Sequence, residues 1–280
     1  MRRLDVAIIR KKVAELCAEA NHRLPQSVKD KLAESALIEE SPLCREVLRD
    51  LERNLDSAKR LNLPICQDTG MAVVFLEIGQ EVFLTGGDLR EAVNKGVETG
   101  YSENYFRMSI VGDPLKRENT KTYTPAIIYT EIVPGDNLSI TVAPKGFGSE
   151  NKSKIKMFNP TASKEEIIAF IKETVSEAGA SPCPPIIAGV GIGGDFEYAA
   201  YLSKKALMRG IDTRNPNPFY REMEETALSE LNKLGIGALG FGGRITAFAV
   251  NIMEFPTHIA GLPVAVNIGC HVTRHASAEL

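Results

Sequence analysis

Leu63-Pro64-Ile65-Cys66-Gln67-Asp68-Thr69-Gly70 constrains the fold more than any other stretch of the chain. It joins the end of an apolar-periodic helix to residues 71–78, a run that reads as a buried strand. Pro64 and Gly70 bound a turn, and between them a thiol, an amide, a carboxylate and a hydroxyl follow one another without a gap. Turns between rigid elements are where functional groups are presented.

The rest of the chain repeats that alternation. Val6, Ile9, Val13 and Leu16 recur at helical spacing, with Cys17 four residues after Val13. Ser41 as N-cap and Pro42 in the first turn open a second helix, striped by Cys44, Val47, Leu48, Leu51, Leu55 and Ala58. Strands are expected over 71–78 and 82–84, then a helix from Asp88 with a capping box completed by Glu91. Residues 101–124 are polar and irregular, while 126–133 and 138–142 read as a strand pair across Pro134-Gly135-Asp136-Asn137. Ser163 and Glu166 box the start of a long helix that Gly179 stops. A short strand over 186–190, a helix ending near Gly210 and another from Asn217-Pro218 to Gly235 follow. Two apolar runs, 246–252 and 264–268, flank Pro256-Thr257-His258. Interleaved helices and short strands define a mixed α/β fold. The expected organisation is a helical N-terminal region, residues 1–60, packed on one α/β body, residues 61–280.

At 280 residues and 44% hydrophobic the chain can bury a full core. A formal charge of -3 gives no basic footprint for nucleic acid. No apolar run reaches the roughly 18 residues of a membrane span, and the start lacks the apolar core of a signal peptide, so a cytoplasmic location is expected. Five cysteines, an odd and scattered count, argue for reduced thiols over a disulfide framework.

Those cysteines fall into two settings. Cys17 and Cys44 lie on helical stripes and read as small core residues. Cys66, Cys183 (in Ser181-Pro182-Cys183-Pro184-Pro185) and Cys270 (in Asn267-Ile268-Gly269-Cys270-His271) lie at turns bounded by Pro or Gly beside apolar runs. Three thiolates are one short of the four that saturate a cubane iron–sulfur cluster. The iron left open is a Lewis acid able to bind a hydroxyl or carboxylate. The spacing suits structural or regulatory thiols as well, so both readings stand at this level.

Other patterns are weaker. Gly189-Val190-Gly191-Ile192-Gly193-Gly194 satisfies a dinucleotide fingerprint, but Asp212, the acidic residue at the right distance, follows a helix and not a second strand. Gly235-Ile236-Gly237-Ala238-Leu239-Gly240 matches as cheaply. A helix start behind glycines can still hold an anionic group. His271 and His275 are four apart beside Cys270, yet Val272 stands where a zincin has Glu, and no Cys-x-x-Cys pair exists. The 145–152 loop lacks the order of a P-loop.

Pro64-Ile65-Cys66-Gln67-Asp68-Thr69-Gly70, Lys145-Gly146-Phe147-Gly148-Ser149-Glu150-Asn151-Lys152, Cys183-Pro184-Pro185 with the glycines after it, Thr257-His258-Ile259-Ala260, and Pro263-Val264-Ala265-Val266-Asn267-Ile268-Gly269-Cys270-His271 occur in one order. As a set they resemble the α subunit, or N-terminal part, of class I iron–sulfur fumarate hydratases and L(+)-tartrate dehydratases. The resemblance implies a [4Fe–4S] hydro-lyase that interconverts fumarate and L-malate, with tartrate dehydration or a non-catalytic cluster-bearing scaffold as alternatives. It implies Cys66, Cys183 and Cys270 as cluster ligands. Gln67, Asp68, Arg107 and Gly148 would line the substrate site, and Asp68 and His258 would act in catalysis. These residue types suit a dicarboxylate, since Arg offers a planar fork and Asp a proton-handling or orienting group. Without the resemblance, Asp68 caps its turn and Arg107 is a surface cation. Phe147 stands where the family often has a third glycine, and Arg244-Ile245 where a Lys-Thr pair is common.

The resemblance also implies a β subunit that supplies further carboxylate-binding and acid–base residues. The expected assembly is of the α2β2 type, with a small dicarboxylate as substrate and neither nucleic acid nor membrane as partner.

Overall fold

The computed structural model describes residues 2–280. In chain order the elements begin with β1 (Arg2–Asp5), α1 (Val6–His22), α2 (Gln26–Ile38), α3 (Pro42–Leu61), β2 (Met71–Gly79), β3 (Val82–Thr85) and α4 (Leu89–Glu103). Next come β4 (Ile127–Val133), β5 (Leu138–Lys145), α5 (Phe147–Glu150), β6 (Lys154–Phe158), α6 (Lys164–Ala178), β7 (Ile186–Gly194) and α7 (Phe196–Ala206). The chain closes with α8 (Pro218–Asn232), β8 (Ala247–Thr257), β9 (Leu262–Gly269) and β10 (Ala276–Glu279). The fold is mixed α/β, with helices at its start followed by interleaved helices and short strands. It groups into two compact units: Met1–Leu24, Ser57–Phe147 and Arg274–Leu280, and Pro25–Asp56 with Gly148–Thr273.

The first unit is built on β2. Ala72 to Leu76 are all buried, which demands cover on both faces and a central place in the sheet. The sheet order is β10-β5-β2-β4, with β2 parallel to β4 and antiparallel to β5. The pairing of 126–133 with 138–142 expected from sequence is therefore wrong, because β2 lies between them. The turn between them closes over the end of β2 instead: Gly79 N donates to Asn137 O at 2.8 Å and Gln80 N to Val133 O at 2.8 Å. β4 alternates between exposed and half-buried positions, as suits an edge strand. Helix α1 starts under an Asp5 cap and buries Val6, Ile9, Val13, Leu16 and Cys17 in the core shared with α4 and the sheet. Asp88 caps α4 by accepting from Glu91 N at 2.7 Å, but among the described residues the reciprocal bond from Asp88 N to the Glu91 carboxylate is not made. Only half of the expected box forms.

In the second unit the order is β6-β9-β7-β8, with β7 parallel to β8 and antiparallel to β9. Helices α6 and α8 bury Ile167, Ile171, Met223 and Leu231 with the sheet's apolar residues in one core. The Ser163–Glu166 box at the start of α6 is complete. The fingerprint glycines lie within β7, not in a loop. A methyl group at Gly189 or Gly191 would run into the main-chain oxygens of Ser203 and Ala199, so these glycines let α7 close on the strand. That packing accounts for the pattern without a nucleotide. Helix α2 and strands β1, β6 and β10 were not anticipated from the sequence. No helix among the described residues is long and apolar enough to cross a membrane.

Candidate functional site

The turn carrying Cys66, Gln67 and Asp68 is held from several sides within the first unit. Ile65 N donates to Asn21 O at 3.0 Å on one flank. On the other, Arg274 Nη2 donates to the Asp68 main-chain oxygen at 2.6 Å. The Asp68 carboxylate accepts from Gly70 N through Oδ1 and from Phe147 N through Oδ2, both at 3.0 Å. It is thus a turn cap, and each oxygen keeps a second lone-pair direction for another donor. Thr69 is clamped too, its main-chain oxygen by the Tyr101 hydroxyl at 3.1 Å and its Oγ1 by Arg107 N at 3.0 Å. That last bond anchors the Arg107 backbone to the turn and leaves its side chain exposed. Cys66 is half-buried and Gln67 exposed.

Cys183 and Cys270 sit at one end of the second unit's sheet. Cys183 comes three residues before β7 and Cys270 directly after β9, where Ile187 pairs with Gly269. His271 joins the two turns: its Nδ1 lies 2.9 Å and its backbone N 3.3 Å from Cys183 O. With a carbonyl as partner, Nδ1 is the protonated nitrogen. Thr273 closes the Cys270 turn by donating through Oγ1 at 2.7 Å and N at 2.9 Å to Cys270 O. A methyl group on Gly269 would strike Thr273 Oγ1. Cys183 holds the left-handed conformation, φ 53°, which is costly for any residue with a Cβ and gathers at functional sites.

The five thiols divide as the sequence suggested. Cys17 and Cys44 are fully buried, and burial pushes both thiols above their ordinary range. Cys66, Cys183 and Cys270 reach solvent to differing degrees. Among the described residues no three His, Cys, Asp or Glu side chains are gathered as a metal-binding group. The donor chemistry nonetheless suits iron: three soft, accessible thiols on turns, two of them bridged by one histidine. Gly148 is exposed, and a Cβ there would meet Ser181 O only at an ordinary 3.6 Å. No packing inside the chain requires glycine at that position.

His258 lies elsewhere. It is exposed in the turn between β8 and β9, where its Nδ1 accepts from Ala260 N at 3.1 Å. The eight residues of β9 separate it from Cys270 by roughly 25 Å at about 3.3 Å per residue.

Sequence reasoning missed three buried polar residues that do the holding. Asn21 and Arg274 brace the Cys66 turn as described. Glu39, 1% exposed, accepts from Glu40 N and Ser41 N through Oε1 and from Arg244 N and Ile245 N through Oε2. Burial alone would raise its pKa, but those four amides outweigh it and hold the carboxyl below its ordinary value. Cys44 Sγ accepts from Ala238 N at 3.2 Å, and Leu239 N donates to Pro184 O at 2.7 Å, so this clamp extends to the Cys183 turn. Of Arg244 and Ile245, Glu39 itself meets only the backbone amides, while the Arg244 guanidinium pairs with the neighbouring Glu40.

The fumarate hydratase (Fumerase) family model matches residues 10–279. A protein of Methanocaldococcus jannaschii, provisionally named L(+)-tartrate dehydratase subunit alpha, is 39% identical over 271 residues, covering 94% of each chain. The L(+)-tartrate dehydratase subunit alpha of Escherichia coli K12 is 31% identical over 268 residues, 95% of this chain and 88% of that one. Its counterpart in Shigella sonnei matches equally. Fold and matches together define a hydro-lyase α subunit. The chain belongs to the fumarate hydratase (Fumerase) family and is similar to tartrate dehydratase α subunits.

Proposed function

We propose that this chain is the cluster-binding α subunit of a hydro-lyase that removes water from L(+)-tartrate, working with a β subunit in an α2β2-type assembly. The observation that carries the choice of substrate is the 39% identity over 94% of both chains with a relative named for tartrate. Fumarate hydration is the second reading, supported by the family match over residues 10–279. Among the described residues no disulfide joins any of the five cysteines, in keeping with a reducing compartment such as the cytoplasm.

Cys66, Cys183 and Cys270 would hold a [4Fe–4S] cluster, which supplies a Lewis-acidic iron free of any protein thiolate. Arg107, its backbone pinned to Thr69, offers a guanidinium fork to one substrate carboxylate. Gly148 gives a carboxylate close access to the backbone. Gln67 offers an amide to a substrate hydroxyl. Asp68 uses its remaining lone pairs to orient that hydroxyl or move its proton. The strand length between His258 and Cys270 supports a smaller part for His258 than for Asp68.

The test is anaerobic purification with the β subunit, analysis for iron and sulfide against zinc, and comparison of kcat/KM for L(+)-tartrate dehydration and fumarate hydration. Iron and sulfide near four each per chain with tartrate preferred is the expected result. Preference for fumarate would move the chain to the second reading, and zinc without sulfide would remove both.

A further inference from the structure

We propose that Arg274, acting with Asn21, is the positioning residue that sets how the Cys66-Gln67-Asp68 turn is presented. Arg is among the residues least often fully buried, yet Arg274 is only 3% exposed. Its guanidinium reaches both the turn and Asn21. Nη2 donates to the Asp68 main-chain oxygen at 2.6 Å, and Nε and Nη2 donate to Asn21 Oδ1 at 3.2 and 3.1 Å. Asn21 is itself fixed in α1, where Nδ2 donates to Cys17 O at 3.1 Å, and its main-chain oxygen accepts from Ile65 N at 3.0 Å.

One flank of the turn therefore hangs from the Asn21 main chain and the other from the Arg274 side chain. Asn21 holds Ile65, Arg274 holds Asp68, and the two are bonded to each other. Cys66 and Gln67 lie between those fixed points and cannot shift unless one bond breaks. Arg274 also follows Cys270 by only four residues. An ammonium at the same position would keep the charge and lose the planar two-target geometry, so lysine is not a substitute.

This inference rests on the proposed role of the Cys66 turn, and the experiment separates the two. Arg274→Lys is prepared as the cluster-loaded complex with the β subunit and also as the metal-free chain. Turnover should fall about 100-fold with KM within about threefold of wild type, the size expected of an ångström-scale misplacement. In the metal-free chain, amide exchange over residues 65–70 should quicken at least about tenfold while α1 and β2 keep wild-type protection. Asp68→Asn should cost less in the Arg274→Lys background than alone, because groups that act as a unit are not additive. Wild-type exchange over 65–70, or equal quickening throughout α1 and β2, would overturn positioning. If Arg274→Lys does not fold, Asn21→Ser should give the same local pattern, and failure of both to fold would reduce the pair to a structural role. A wild-type rate in Asp68→Asn would instead sink the catalytic reading of that carboxylate, and the exchange measurement would still judge Arg274.

Discussion

The Cys66 turn of the first unit and the Cys183 and Cys270 turns of the second are fixed by different means. The first is gripped mainly by side chains, Arg274 braced by Asn21, the Asp68 carboxylate and Thr69 Oγ1, with the Asn21 main chain holding Ile65. In the second, backbone and steric fit carry a larger share, through the left-handed Cys183, the flanking prolines and the bare Cα of Gly269, beside the His271 and Thr273 side chains that donate to the Cys183 and Cys270 carbonyls. A turn held by side chains is open to being loosened one hydrogen bond at a time. A turn held by backbone geometry resists that and fails when a single atom is added.

The largest effects test whether the turn thiols form one functional class despite that difference. Cys66→Ser, Cys183→Ser and Cys270→Ser should each abolish cluster incorporation, because a hydroxyl replaces a soft thiolate poorly on iron. Cys17→Ser and Cys44→Ser should retain it. Iron and sulfide analysis of the five proteins decides the matter, and loss of the cluster in Cys17→Ser alone would break the division.

Next come the side chains of the first unit. Asp68→Asn should slow turnover by about 10²–10⁴-fold, the range for a proton-handling group, with the cluster spectrum unchanged. Arg107→Lys should act chiefly on KM, since only the exposed fork is altered and the backbone bond to Thr69 survives. Steady-state kinetics on the two variants separates the roles, and wild-type turnover in Asp68→Asn would leave that carboxylate as a turn cap alone.

The second unit should answer to added atoms. Gly269→Ala should destabilise by about 1–3 kcal/mol, the usual cost of overpacking, because the methyl meets Thr273 Oγ1. Gly148→Ala, whose methyl meets Ser181 O at an ordinary 3.6 Å, should stay within about 0.5 kcal/mol of wild type and yet weaken substrate binding. Denaturant titration read beside KM checks both. Equal destabilisation by the two alanines would show that the packing distinction is wrong.

Acid gives the smallest effect and sharpens the comparison. Burial lowers the His275 pKa, and its Nδ1 has no hydrogen-bond partner among the described residues. Below pH 6.5, its ordinary value, the unfolded chain takes up a proton that folded His275 resists, so stability falls with pH until the folded value is reached. Glu39 is also depressed. Its contribution is full above pH 4.5 and is lost as pH falls through the folded value. Hydrogen exchange read for each unit should show the first unit softening in mild acid and the second only in stronger acid. His275→Gln should flatten the first response, and an unchanged response in that variant would assign it to another group.

What could be read from the sequence was local. The α6 box needs only Ser163 and Glu166, and the stripes of α1 and α3 need only periodicity. The two classes of cysteine followed from their immediate neighbours. What could not be read was long-range. β2 separates β4 from β5 because its residues are buried on both faces, a demand that outweighs the pull of a short connecting turn. Helix α2 buries only Val28, Leu32, Ser35 and Ala36, too sparse a stripe to stand out. Asn21 and Arg274 meet across 253 positions, and nothing in their neighbours marks either as a partner. The placement of His258 depends on strand length and direction, which a motif does not carry.

The left-handed backbone at Cys183 sets two selective pressures against each other. Cys183→Gly would relieve the strained φ, so the metal-free chain should fold at least as well without that sulfur. Folding alone therefore gives no reason to keep cysteine there, and under selection for stability only the position would drift toward glycine. Retention of the thiol has to come from whatever binds it, and such binding would in turn return stability to the chain by mass action. The chain's melting temperature would then become a gauge of cofactor supply, high when the thiols are occupied and lower when they are bare.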